Sequence, residues 1–262
     1  MKSFRIATLF VTTLLFALVI SSTRQVVFAQ GTTDPHTPQV LTQVSTYDYF
    51  AAGHYDGFLS IADLHKYGDF GLGTFDKVNG EMVEVDGKIY QIQADGKPHL
   101  ADETNMTPFA VVTFWHASTV VTVPANLALD KFKALLDQTS PNQSQFVAIR
   151  VEGTFSTLKL RSEEPAAKPY PILTDFLKNQ IVFNLTNVKG TLVGVRAPAF
   201  SQGLQVVGYH FHFVSADGTA GGHVLDLTSG DSTLQVNEIP AWEILLPPAG
   251  ADQPTATPQV SK

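Results

Sequence analysis

Gly208-Tyr209-His210-Phe211-His212-Phe213-Val214-Ser215, the turn-forming residues Ala216-Asp217-Gly218-Thr219-Ala220, and then Gly221-Gly222-His223-Val224-Leu225-Asp226-Leu227 form the stretch on which the reading of this chain rests. In a strand, residues i and i+2 share a face roughly 7 Å apart, so His210 and His212 point one way while Tyr209, Phe211 and Phe213 fill the other. The Ser215 to Gly222 segment predicts a hairpin that returns His223 beside the first two histidines. Three neutral imidazoles without a fourth protein ligand leave a coordination position open, as in a catalytic zinc site. Histidines in a strand also serve as core or surface residues with satisfied hydrogen bonds, and spacing alone leaves both readings open. Two observations add weight to a metal: the chain has no Cys to offer thiolates, and three of its eight His fall within this one segment.

With 262 residues, 44% hydrophobic and 16% charged, the chain can bury the core of one large domain or two small ones. A net charge of -7 and the lack of any Lys/Arg run argue against nucleic acid as a partner. Lys2 and Arg5 precede an apolar run from Ile6 to Ile20, and Val27-Phe28-Ala29 offers small residues at a cleavage site. That layout predicts a signal peptide over 1–29, export after cleavage, and no membrane contact by the mature chain. The run is short for a bilayer span, which needs about 20 residues. Residues 30–45 read as a polar linker and 247–262, dense in Pro, Ala, Thr and Gln, as a disordered tail.

Between these ends, strand-like segments outnumber helical ones. Ser60-Ile61-Ala62-Asp63 resembles a capping box and predicts a short helix over 61–67. Helical spacing of Leu129, Phe132, Leu135 and Leu136 predicts another over 128–138, and a third follows Pro171 with Leu173, Phe176 and Leu177 inward. Asp86-Gly87, Asp95-Gly96 and Asn187-Val188-Lys189-Gly190 read as tight hairpin turns. The predicted class is α+β: two subdomains on mixed, largely antiparallel sheets with a few short helices. The expected halves are 46–160 and 161–246.

An ordered series of motifs resembles the alpha-acetolactate decarboxylase family. It comprises Tyr55-Asp56-Gly57, Gly68-Asp69-Phe70-Gly71-Leu72-Gly73-Thr74-Phe75-Asp76, Gly80-Glu81-Met82, Asp86-Gly87-Lys88-Ile89-Tyr90-Gln91-Ile92 and Thr107-Pro108-Phe109-Ala110. It continues through Ala148-Ile149-Arg150-Val151-Glu152-Gly153-Thr154-Phe155, Arg161-Ser162, Gly190-Thr191-Leu192-Val193-Gly194 and the histidine segment. Each motif alone is weak, but their order over residues 45–230 is specific.

The resemblance implies a zinc-dependent lyase, usually dimeric, that converts 2-acetolactate, a 2-hydroxy-3-keto acid, to acetoin and carbon dioxide through a metal-stabilised enediolate. It implies His210, His212 and His223 as zinc ligands and Glu81, Arg150 and Thr74 as catalytic residues. In that chemistry zinc acts as the Lewis acid, with no organic cofactor. Arg150 would fork onto the substrate carboxylate, although an ion pair with Glu152 or Glu81 fits its sequence position as well. Glu81 would hand a proton to carbon. Thr74 would hydrogen-bond a substrate oxygen or serve a turn. The family also implies an acidic residue near the C-terminus at the metal, a role that the sequence assigns to neither Glu238 nor Glu243. The alternative is an exported metal- or small-ligand-binding protein of the same fold without turnover. A cupin-like oxygenase lacks its expected Glu after the HxH pair, and a carbonic-anhydrase-like hydratase does not explain the upstream motifs.

Overall fold

The computed structural model describes residues 39–249, so the predicted signal peptide and most of the predicted tail lie outside the described residues. Among the described residues there are fourteen strands: β1 (Val40–Val44), β2 (Leu59–Ser60), β3 (Phe70–Thr74), β4 (Glu81–Val85), β5 (Lys88–Ile92), β6 (Pro98–Leu100), β7 (Met106–Thr107), β8 (Ala110–Thr113), β9 (Thr119–Val123), β10 (Phe146–Ser162), β11 (Ile181–Ala197), β12 (Gly208–Ser215), β13 (Gly221–Ile239) and β14 (Ala241–Leu245). The helices α1 (Tyr47–Ala51), α2 (Ile61–Leu64), α3 (Leu129–Thr139) and α4 (Leu173–Phe176) are short. None is long and apolar enough to cross a membrane.

A seven-stranded mixed sheet runs β14-β1-β8-β3-β4-β5-β6, with β1 and β14 parallel and the other neighbours antiparallel. The second sheet, β10-β11-β12-β13-β9, is antiparallel, and a further pairing of β10 with β13 closes four of its strands into a ring. The last junction is short, since β12 and β13 pair only through His212–Val214 and Gly221–His223. The ring interior holds Val151, Phe155, Leu192, Phe211 and Phe213, with α3 adding Phe132 and Leu136. The ring's outer face, carrying Val193, Val195 and Val214, packs on Leu72, Val83, Ile92 and Val111 of the first sheet. The far face of that sheet is covered by α2 through Ile61 and Leu64.

Local signals explain many of the elements. The Ser60 hydroxyl accepts from the Asp63 amide and starts α2, as the capping box predicts. Asp86 and Gly87 both take positive φ, 52° and 69°, which is what a tight turn between β4 and β5 needs. Three expectations give way. Val40–Val44, placed in the linker, is a largely buried strand, because its apolar residues pair with β14 and β8. Asn187 to Gly190, read as a turn, lies inside β11: Asn187, at a φ of 49°, is skipped in the pairing with β10, which continues in the same register on either side. Gly190 is a close-approach site rather than a turn, since a Cβ there would sit 2.3 Å from the Val214 carbonyl oxygen. The division expected at 160/161 falls within β10, and β1 and β14, from opposite ends of the described chain, are neighbours in one sheet.

Candidate metal centre and active site

The predicted hairpin forms, and its register pairs His212 directly with His223 across β12 and β13. Phe211 and Phe213 turn into the ring, so period two alone aims His210 and His212 outward at the first sheet. His210 Nε2 lies 3.2 Å from His223 Nδ1 and 3.1 Å from His212 Nε2, and the third edge of this triangle is 3.3 Å. Among the described residues this is the group of metal-type ligands that converges.

The imidazoles fit a tetrahedral ion. Zinc–nitrogen bonds of about 2.0–2.1 Å at tetrahedral angles place their nitrogens roughly 3.3 Å apart. His212 Nδ1 faces the Met82 carbonyl oxygen at 2.7 Å, so the N–H sits there and the Nε2 lone pair points into the triangle. Burial, with neighbouring His212 and Arg161 adding to it, holds His210 well below the usual imidazole range. His212 is pushed down to about 3 by burial, against the pull of the Met82 carbonyl. His223 is lowered by burial and then by Arg161. All three rings are therefore neutral near neutral pH, the state a ligand needs.

Glu81 and Thr74 face the histidines from the first sheet, where they are direct cross-strand partners on β4 and β3. Glu81 Oε2 lies 3.2 Å from His212 Nε2. Burial raises the Glu81 carboxyl above the ordinary range, while Arg161 and Glu163 oppose that rise. The Thr74 hydroxyl donates to the Gly80 carbonyl at 2.7 Å, clamping the turn that delivers Glu81, and Thr74 also borders the cavity.

Arg150 is not brought to this place. It lies on β10 opposite Gln235, with its guanidinium on Asp86 at 2.6 Å and on Glu152 at 2.5 Å, and it does not line the cavity. The arginine that does is Arg161, further along the same strand, with Nη1 3.2 Å from Glu81 Oε1. A bulge between Lys159 and Leu160 shifts the β10–β13 register so that Arg161 pairs with His223. A bulge of this kind re-aims every side chain beyond it. Gly222 permits the approach, with φ at +140° and an added Cβ only 2.5 Å from the Arg161 carbonyl oxygen. Glu163, behind Arg161, also escaped the sequence reading. Glu238 bonds Ser140 and Glu243 bonds Thr42, so neither faces the histidines.

These groups border a cavity of about 260 Å³ between the two sheets. The three His, Glu81, Arg161 and Thr74 form its polar side, and Phe50, Val78, Phe109, Leu173, Leu177 and Val206 form its apolar side. Such a chamber suits a small ligand with oxygens at one end and alkyl groups at the other.

Known proteins resemble this chain over most of its length. The family model described as alpha-acetolactate decarboxylase matches residues 41–253. An alpha-acetolactate decarboxylase of Methanosarcina mazei is 43% identical over 215 residues, covering 81% of this chain and 74% of that protein. One of Bacillus subtilis strain 168 is 34% identical over 221 residues, 84% of this chain and 86% of that protein. The crystal structure of the Bacillus subtilis 168 enzyme superposes with a TM-score of 0.79 at 33% identity, covering 81% of this chain and 91% of that one. A Staphylococcus aureus structure, described as of unknown function and similar to alpha-acetolactate decarboxylase, reaches 0.77 at 25% identity over 79% of this chain and 89% of that one. The chain belongs to the alpha-acetolactate decarboxylase family and is a carbon–carbon lyase.

Proposed function

We propose that this protein converts 2-acetolactate to acetoin and carbon dioxide with a zinc ion held by His210, His212 and His223. The observation that carries the reading is the nitrogen triangle with edges of 3.1 to 3.3 Å, beside a buried acid and a half-buried arginine. A zinc ion held by these three histidines would supply Lewis acidity for the charge that develops on the substrate.

The chain's own residues account for the rest. Arg161 donates to the substrate carboxylate and fixes which bond points away from the oxygens. Loss of carbon dioxide leaves an electron pair that delocalises into the neighbouring carbonyl as an enediolate, and the carbon then needs a proton. Glu81 is placed to give it, because burial favours its protonated form and it stands at the polar wall. Once Glu81 has lost that proton, Arg161 Nη1, at 3.2 Å, balances the new charge. Thr74, whose own hydrogen is committed to Gly80, offers a lone pair to the substrate hydroxyl. The apolar wall accepts the two methyl groups and keeps out water, which strengthens each charge interaction inside.

The test is acetoin formation from racemic acetolactate by purified protein, with and without a chelator, alongside metal analysis. Chelator-sensitive turnover with about one zinc per chain supports the reading. Zinc bound without acetoin above the spontaneous background would instead favour a binding protein.

A further inference from the structure

Glu163 has no part in the chemistry above, yet it is built into the wall of the site. It follows the last residue of β10, Ser162, whose hydroxyl donates to the Ile92 carbonyl at 2.7 Å and pins the strand end to the first sheet. The Glu163 carboxyl is 2% exposed and bonds Arg161 Nη1 through Oε1. That same Nη1 contacts Glu81, so among the described residues one nitrogen of the fork takes both acids. Nη2 and Nε are then the donors left for a ligand.

Burying a second carboxyl behind an arginine is costly unless it does something for the fold or the site. Its other oxygen, Oε2, is buried without a hydrogen-bond partner among the described residues. Burial, and then the neighbouring Glu81 carboxyl, push the Glu163 carboxyl above the ordinary range, while Arg161 opposes that rise. An arginine side chain has much rotamer freedom, and a fork already fixed in place spares a ligand the cost of ordering it.

We propose that Glu163 is a positioning residue: it holds Arg161 Nη1 beside Glu81 and thereby turns the rest of the guanidinium to the cavity, where it meets the substrate carboxylate. This rests on the lyase reading. Without Glu163, Arg161 has one anchor instead of two and its open donors lose their direction.

The experiment compares full-length, zinc-loaded Glu163→Gln and Glu163→Ala with the parent. Glutamine keeps an acceptor for Arg161 without charge and should stay within about twofold in KM. Alanine should raise KM about tenfold or more, the worth of a hydrogen bond to a charged group, beside any change in kcat that follows from its effect on Glu81. Two competitors separate positioning from general damage. The reduced substrate, 2,3-dihydroxy-2-methylbutanoate, should bind the alanine variant more weakly in proportion to KM, whereas butane-2,3-diol, lacking the carboxylate, should bind as it does to the parent. Alanine kinetics within twofold of the parent, or equal weakening of both competitors, overturns the proposal. Should the alanine variant not fold, Glu163→Leu fills the space without an acceptor and is judged by the same outcomes. A parent that makes no acetoin sinks the lyase reading; calorimetry with the two competitors then still decides whether Glu163 governs carboxylate binding.

Discussion

Glu84 lies on β4 three residues beyond Glu81 but on the opposite face of the sheet, under α2, and its side chain is fully buried. Neither of its oxygens has an aligned hydrogen-bond donor among the described residues, although His65 Nδ1 approaches Oε1 at 3.3 Å. Burial, with Asp69 adding repulsion, pushes its carboxyl from the ordinary 4.5 up to about 8. Because the folded value lies above the unfolded one, its contribution is fully favourable below about pH 4.5 and is lost as pH rises toward about 8. Each pH unit in that window withholds about 1.4 kcal/mol from folding, which comes to about 3 kcal/mol at pH 7. Glu84→Gln removes the titration and keeps the shape. Urea unfolding of parent and variant at pH 5, 6, 7 and 8 should therefore show the variant gaining steadily on the parent, by about 3 kcal/mol or more over the series. A stability difference that does not change with pH would mean that Glu84 ionises in the fold as readily as in the unfolded chain, through His65, and would refute the reasoning.

The site makes further predictions. His212→Ala should lose zinc and acetoin formation together, read by metal analysis and turnover, since it removes one corner of the nitrogen triangle. Glu81→Gln should keep its zinc yet lose on the order of 10²-fold in kcat, the typical worth of a positioned acid, and near-normal turnover would reduce Glu81 to a structural part. Arg161→Lys should raise KM by about tenfold or more through loss of the planar fork. Arg150→Ala should leave kcat and KM within about twofold, because its acid partners are partly exposed and such pairs contribute little.

Much of the site was legible because it depends on local periodicity. The alternation from Tyr209 to Phe213 and the turn residues after it brought three histidines together with no knowledge of the rest of the fold. α2, α3 and the helix after Pro171 followed from capping and spacing for the same reason. What stayed hidden depends on register between distant strands. Arg161 meets His223 only because β13 closes on β10 and a bulge shifts the pairing, and neither event leaves a mark near Arg161 in the sequence. Arg150 had the same residue type in a strand-like motif and the ion-pair partner Glu152 two positions on, the partner it takes. β1 was invisible because what buries it, β14, is about two hundred residues away. Asn187 misled because a left-handed Asn marks a turn in most settings, and here the β10–β11 pairing skips it and resumes in the same register beyond it.

The parallel pairing of β1 and β14 sets where the end of β14 lies. β14 finishes at Leu245, whose carbonyl accepts from the Ser45 amide at 2.8 Å, and α1 begins two residues later with Tyr47 at the rim of the cavity. The end of β14 therefore sits beside Ser45, two residues ahead of Tyr47 and the cavity lining, whereas Ala241 and Val40 lie at the other end of the strand pair.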